Sequence, residues 1–150
     1  MKFARNLLAA ALLVAATILA PITQLAEAAT PNVTPGAGQV VVIPLHISGQ
    51  YTANTTAVAR LTLPFPAAVL GVSASARASG GTSPTLTVDV LEGGVTILSA
   101  PVAVTAGAVA EATVTDTNLA DEAAITVNLA IGGTSPTWND IVVLVTLFRK

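Results

Sequence analysis

The stretch Ala124-Ile125-Thr126-Val127-Asn128-Leu129-Ala130-Ile131 alternates without interruption, with Ile125, Val127, Leu129 and Ile131 on one side of an extended chain and Thr126, Asn128 and Ala130 on the other. Successive side chains of a β-strand point to opposite faces, so this pattern describes a strand with one face buried. Leu86-Thr87-Val88-Asp89-Val90-Leu91 repeats the scheme, with Leu86, Val88 and Val90 expected inward and Thr87 and Asp89 outward. Between Gln39 and Lys150 nothing sustains the i, i+3, i+4 spacing of an amphipathic helix over about ten residues, whereas alternation recurs repeatedly. The body of the chain reads as all-β.

The remaining strands follow from their turns. In Val90-Leu91-Glu92-Gly93-Gly94-Val95-Thr96-Ile97-Leu98 the two glycines can take the positive φ values of a two-residue primed turn, which sets Val90 opposite Ile97. Pro44 lacks a donor for a ladder, so "QVVVIPLHIS" implies an edge strand or a bulge. "VARLTL", "VLGVSASARA", "PVAVTA" and "VAEATVTD" add further strands. In "IVVLVTLF" both faces are apolar, Ile141, Val143, Val145 and Leu147 on one and Val142, Leu144 and Phe148 on the other. Such a strand is either central and covered on both faces or in contact with another subunit. The short spacing of strands and turns predicts a single antiparallel β-sandwich, jelly-roll-like, of about eight strands.

The hexapeptide GGTSPT occurs at Gly80–Thr85 and again at Gly132–Thr137. Paired glycines allow positive φ and proline restrains both itself and the preceding serine, so each copy reads as a chain-reversing connection between strands. Similarity stops at the edges of the hexapeptide, which argues against a duplicated half-domain. With no Lys, no Ser/Thr at the Walker position and no helix after it, the hexapeptide is a poor phosphate loop.

Composition narrows the function classes. A chain of 150 residues has room for one domain with one core. It is 53% hydrophobic and only 9% charged, against about 25% charged in ordinary soluble domains. Its six basic and eight acidic residues are scattered singly and form no stripe that could follow a phosphate backbone, so nucleic acid is not an expected partner. Cysteine is absent, which removes disulfides and thiolate metal sites and is neutral on compartment. At the N-terminus, Lys2 and Arg5 precede an apolar run from Asn6 to Ala20, and Ala26-Glu27-Ala28 supplies a small-x-small cleavage pattern. The expected organisation is a signal-like apolar helix over 1–28, a Pro/Gly/Thr linker over 29–39 and the β-sandwich over 40–150. Only the first segment, if retained, would touch a membrane.

The run "GGTSPTLTVDVLEGGVTILSAPVAV" and the closing "GGTSPTWNDIVVLVTLF" resemble small bacteriophage structural proteins, the β-sandwich modules of head decoration and tail accessory proteins. The resemblance covers roughly Val69 to Arg149 and rests on strand-and-turn patterns. It implies a virion component that acts through contacts with itself or with capsid or tail proteins. The signal-like N-terminus supports the alternative of a secreted bacterial surface or carbohydrate-binding β-sandwich.

Chemistry is sparse. His46 is the sole histidine, on the strand face opposite Ile43, Leu45 and Ile47, so neither a His-rich zinc site nor a flanked catalytic triad can be assembled around it. Asp116, Asp121 and Glu122 lie in a polar connection that could offer carboxylates to Ca²⁺, yet the connection lacks the Asp/Asn spacing and central Gly of an EF-hand loop. No catalytic residue, metal site or cofactor is expected. Trp138, the single tryptophan, stands beside Asn139 and Asp140 after the second hexapeptide, where an indole could stack on a sugar or anchor a protein, or fold back over the core. Tyr51 in "SGQYTANTT" is a second candidate contact. The chain is thus expected to be a non-enzymatic structural or interaction protein, in a virion or, under the alternative, exported.

Overall fold

The computed structural model describes residues 38–150. The signal-like helix expected over 1–28, and the linker up to residue 37, lie outside the described residues. All regular structure among the described residues is β, in eight strands: β1 (Val40–Tyr51), β2 (Thr55–Thr62), β3 (Ala67–Glu92), β4 (Val95–Thr96), β5 (Val102–Val104), β6 (Val109–Ala112), β7 (Asn118–Leu119) and β8 (Ala124–Arg149).

β3 and β8 are each 26 residues long and run antiparallel to one another along nearly their whole length. Each serves two layers. The second half of β8 lies between β1 and the first half of β3, which carries β6 and β7 on its other edge. The first half of β8 lies between β2 and the second half of β3, which carries β4 and β5. Two antiparallel layers in these strand orders, linked by strands that pass from one layer to the other, make a jelly roll. The expected fold class is the observed one.

The alternation predicted from sequence governs the core. Ile125, Val127 and Leu129 of β8 and Leu86, Val88 and Val90 of β3 are buried, as are Ile141, Val143, Val145 and Leu147 in the other half of β8. Residues from both layers join one hydrophobic cluster, since each layer's apolar face can leave water only against the other. β1 pairs with β8 alone, so Pro44 does sit in an edge strand.

The hairpin between β3 and β4 also follows the sequence. Gly93 and Gly94 have φ of 57° and 91°, Leu91 pairs with Thr96, and the Ile97 N–H donates to the Val90 carbonyl at 3.0 Å. A Cβ on either glycine would meet nothing within 4 Å, so the demand for glycine is purely conformational. Replacing Gly94 with Ala is therefore expected to lower stability by about 1–2 kcal/mol, the cost of holding an L-residue at positive φ. A urea midpoint that falls with an unchanged m-value would show it.

The two GGTSPT copies depart from expectation. Neither reverses the chain: both lie inside continuous strands, and they pair with each other. Gly80 faces Thr137, Thr82 faces Thr134 and Thr85 faces Gly132, so the first letter of each copy meets the last of the other. The register shifts between Gly80 and Thr82 and again between Thr82 and Thr85, which places a bulge in each strand. Gly81 and Gly133 have φ of 96° and 113°, and Ser83 and Ser135 have φ of 49° and 48°. The positive φ read from the glycines is real, but it bends two long strands together from one layer into the other. Two antiparallel strands that cross at a bend are related by a local twofold, so what one strand requires the other requires too. That is why the hexapeptide is written twice.

Candidate interaction surface

The residues singled out for contact converge near this bend. Trp138 directly follows the second hexapeptide, with Tyr51 of β1 on one side and Ser79 of β3 on the other. Its side chain points inward and is 2% exposed, and Tyr51 is half-buried against the same core. The indole is therefore enclosed, whereas stacking on a sugar needs an open ring face. Its Nε1 has no hydrogen-bond partner.

Asn139 pairs in register with Gln50 and Ala78. Asp140, with φ of 47°, stands where the β1–β8 register slips between Ile47 and Gln50. Its carboxylate lies 2.6 Å from the Arg77 guanidinium and accepts from the Gly49 N–H at 3.4 Å. Both partners of the ion pair are well exposed, so it orients the bulge of β1 more than it stabilises the fold.

The other candidates disperse. His46 is exposed on the outer side of β1, across the strand from Ile43, Leu45 and Ile47 as its sequence position implied. In the polar connection, the Asp116 carboxylate accepts from the Asn118 N–H at 3.1 Å and that of Asp121 from the Glu122 N–H at 3.1 Å, both local turn bonds. Among the described residues no group of three or more His, Cys, Asp or Glu side chains is placed to hold a metal ion.

What sequence reasoning only half found is a whole sheet face. In the layer containing β1, the inward row of β8 is buried, while Val142, Leu144 and Phe148 point to the outside. The register lines them up with outward residues of the neighbouring strands: Val40 with Phe148 and Ala68, Pro44 with Leu144 and Ser73, His46 with Val142 and Ser75. On the far edge, β6 turns Val109 and Glu111 outward beside Ser75 and Ser73. Among the described residues the exposed large hydrophobics are Val40, Val42, Leu70, Val95, Val109 and Phe148, and all but Val95 lie on this face. Two shallow depressions also open on it, one around Leu70, Ser73, Glu111 and Thr146, the other around Ser75, Arg77, Val109 and Val142.

The outer face of the second layer is different in kind. It shows Arg60, Thr87, Asp89, Thr126 and Asn128, with Leu91 and Ala130 among them, and several of its polar groups bond nearby chain: Thr96 Oγ1 donates to Asp89 at 2.6 Å, and Asn128 accepts from the Ala57 N–H at 2.8 Å. A half-solvated antiparallel layer ordinarily alternates apolar-in and polar-out. The second layer follows that rule more closely than the first, whose outer face carries all but one of the exposed large hydrophobics among the described residues and is the candidate interaction surface.

No family model matches the chain, and no curated protein matches it. Among solved structures, it is similar to a chain of the capsid asymmetric unit of cyanophage Pam1, at 21% identity and a TM-score of 0.46, over 76% of this chain and 87% of that one. It is also similar to a chain in the structure of infectious bursal disease virus, Gx strain, at 12% identity and a TM-score of 0.38. That likeness covers 75% of this chain but only 33% of the viral chain.

Proposed function

We propose that this chain is a non-enzymatic structural protein of a virion, a decoration or tail accessory module that works through protein–protein contact on the outer face of its first layer. The observation that carries the reading is the contrast between the two outer faces. Val40, Val42, Leu70, Val109 and Phe148 remain exposed on one, while the other is mainly polar, with Leu91 only half-exposed. Exposed apolar side chains assembled in register across four strands raise the free energy of an isolated monomer and lower it again when a neighbour excludes water. Proteins bound into particles are the setting in which such a neighbour is always present. The sequence resemblance to phage head and tail modules points the same way.

The test is the composition of purified particles from the protein's own source. The chain is expected at a fixed ratio to the shell or tail proteins, and Leu144→Lys is expected to leave it folded but absent from particles. Leu144 is half-buried on the outer side, so a lysine there can lift its ammonium into water and leave the core intact. Recovery of the wild-type chain only in culture medium or on cell surfaces would overturn the virion reading in favour of an exported module.

A further inference from the structure

The charged groups on this face specify more than a sticky surface. Among the described residues the polar and charged groups that bear on docking are the His46 imidazole on β1 and the Glu111 carboxylate on β6, at opposite flanks, the Arg77–Asp140 pair on the two central strands at the end near the bend, and Lys150, which donates to Asn118 beside Ala68 at the other end. In sheet order His46 lies beside Val142 and Glu111 beside Ser73 in the row of Leu144. The two flanking groups are thus offset by a single row, about 7 Å along the strands.

We propose that this face closes on the same face of a second copy of the chain, about a twofold axis that lies in the interface and runs along the strands. The proposal deepens the structural reading above by naming the neighbour. A closed pair of identical subunits must be isologous, each patch meeting itself. Two arrangements keep the strands aligned, and the charges distinguish them. With the axis across the strands through the middle of the patch, β6 would lie over β6 and Glu111 would come within a row of its own copy. With the axis along the strands, β1 lies over the partner's β6 and β8 over the partner's β3. His46 then comes within a row of the partner's Glu111 and Arg77 lies over the partner's Asp140, each twice. His46 and Glu111, and Arg77 and Asp140, then gain complementary neighbours across the interface, while Lys150, held by Asn118 beside the Val40 row, stays at its margin; the apolar rows between them meet apolar rows.

The area suits a weak pair rather than a tight one. Three strands spaced about 4.8 Å apart over the seven residues from Val40 to His46, with the four residues of β6 beside them, cover roughly 400 Å² per copy before the corrugation of side chains is counted. Two copies bury roughly 800 Å² of flat area, somewhat under the ~1,000 Å² at which a stable specific interface begins. An interface of this size belongs to the weak, transient class, so the pairing is expected only at high chain concentration.

Sedimentation velocity over a concentration series, on the chain in the form its source produces, tests the pairing. The wild type is expected to pass from monomer to dimer and no further, and Leu144→Lys to remain monomeric. Glu111→Lys is expected to weaken dimerisation roughly tenfold, because each copy loses an acceptor for the partner's imidazole. Adding His46→Glu to Glu111→Lys is expected to restore most of that loss, since the pair is re-formed with its polarity reversed. A wild type that stays monomeric at the highest concentration, a Leu144→Lys variant that still dimerises, or a Glu111→Lys variant of unchanged affinity would each overturn the proposal. The virion reading fails separately. A monomer in solution that is nonetheless found in particles removes the twofold pairing alone, and a dimer absent from particles removes the virion role alone.

Discussion

Replacing Gly81 with Ala should cost about 3–4 kcal/mol of folding stability, a large share of the 5–15 kcal/mol typical of a domain. A Cβ built at Gly81 would run into the Ser135 carbonyl oxygen and lie 2.7 Å from that of Thr134. Both obstacles are backbone, held by the strand pairing on either side, so neither can swing away as a side chain would. To this clash is added the strain of an L-residue at φ of 96°. Gly49 provides the control, because it has φ of 102° and nothing within 4 Å of its added Cβ. Gly49→Ala should show the conformational cost alone, about 1–2 kcal/mol. Gly133→Ala should behave like Gly81→Ala, since its Cβ would meet the Ser83 and Thr82 carbonyl oxygens at 2.6 and 2.9 Å. Chemical denaturation followed by the fluorescence of Trp138 measures all three. Equal midpoints for Gly81→Ala and Gly49→Ala would show that the two hexapeptides do not cross this closely.

Trp138→Ala should destabilise by about 3–5 kcal/mol, the range for deleting a large aromatic from a packed interior. The indole is among the largest fully enclosed side chains, and it fills the end of the core where β3 and β8 bend from one layer into the other. Trp138→Phe should cost far less. It keeps a ring in place and removes an indole N–H that has no hydrogen-bond partner, a group whose burial by itself costs about 1–3 kcal/mol. Circular dichroism melts of the three proteins compare them without relying on the fluorophore. In the wild type, emission should shift to longer wavelength as the indole enters water on unfolding. An alanine variant within about 1 kcal/mol of wild type would mean that Trp138 works at the surface, the role a glycan or partner anchor would require.

The two predictions separate what was legible from what was not. Trp138 could be read from sequence either as an exposed anchor or as a cover for the core, because one aromatic beside polar neighbours fits both descriptions. The choice depends on Tyr51 and Ser79, which flank it from strands far away in sequence. The hexapeptides show the same division more sharply. Their glycines announced positive φ correctly, and two of them have it. A bend inside a strand and a reversal between strands make the same local demand, however, and only the pairing partner distinguishes them.

The interaction face was visible in part, through the apolar outer row of the last strand. Val142, Leu144 and Phe148 left two readings open, a covered central strand or a subunit contact. The fold makes the strand central by neighbours and leaves its outer side without a covering layer among the described residues. Val40, Leu70 and Val109 were not legible as members of one surface, since they come from β1, β3 and β6 and become neighbours only by register.

Period-two alternation is a property of single strands, and with the turn residues between them it determined that the body of the chain over 40–150 is β, which residues of the main strands enter the core, and that Gly93-Gly94 closes a hairpin in a given register. These features depend on residues within about ten positions of one another, where backbone geometry leaves few alternatives. The crossing of the hexapeptides, the enclosure of Trp138 and the assembly of one apolar outer face were decided by tertiary structure. Each joins residues dozens of positions apart, and their proximity is set by the burial of a shared core between the two layers rather than by any local preference of the chain.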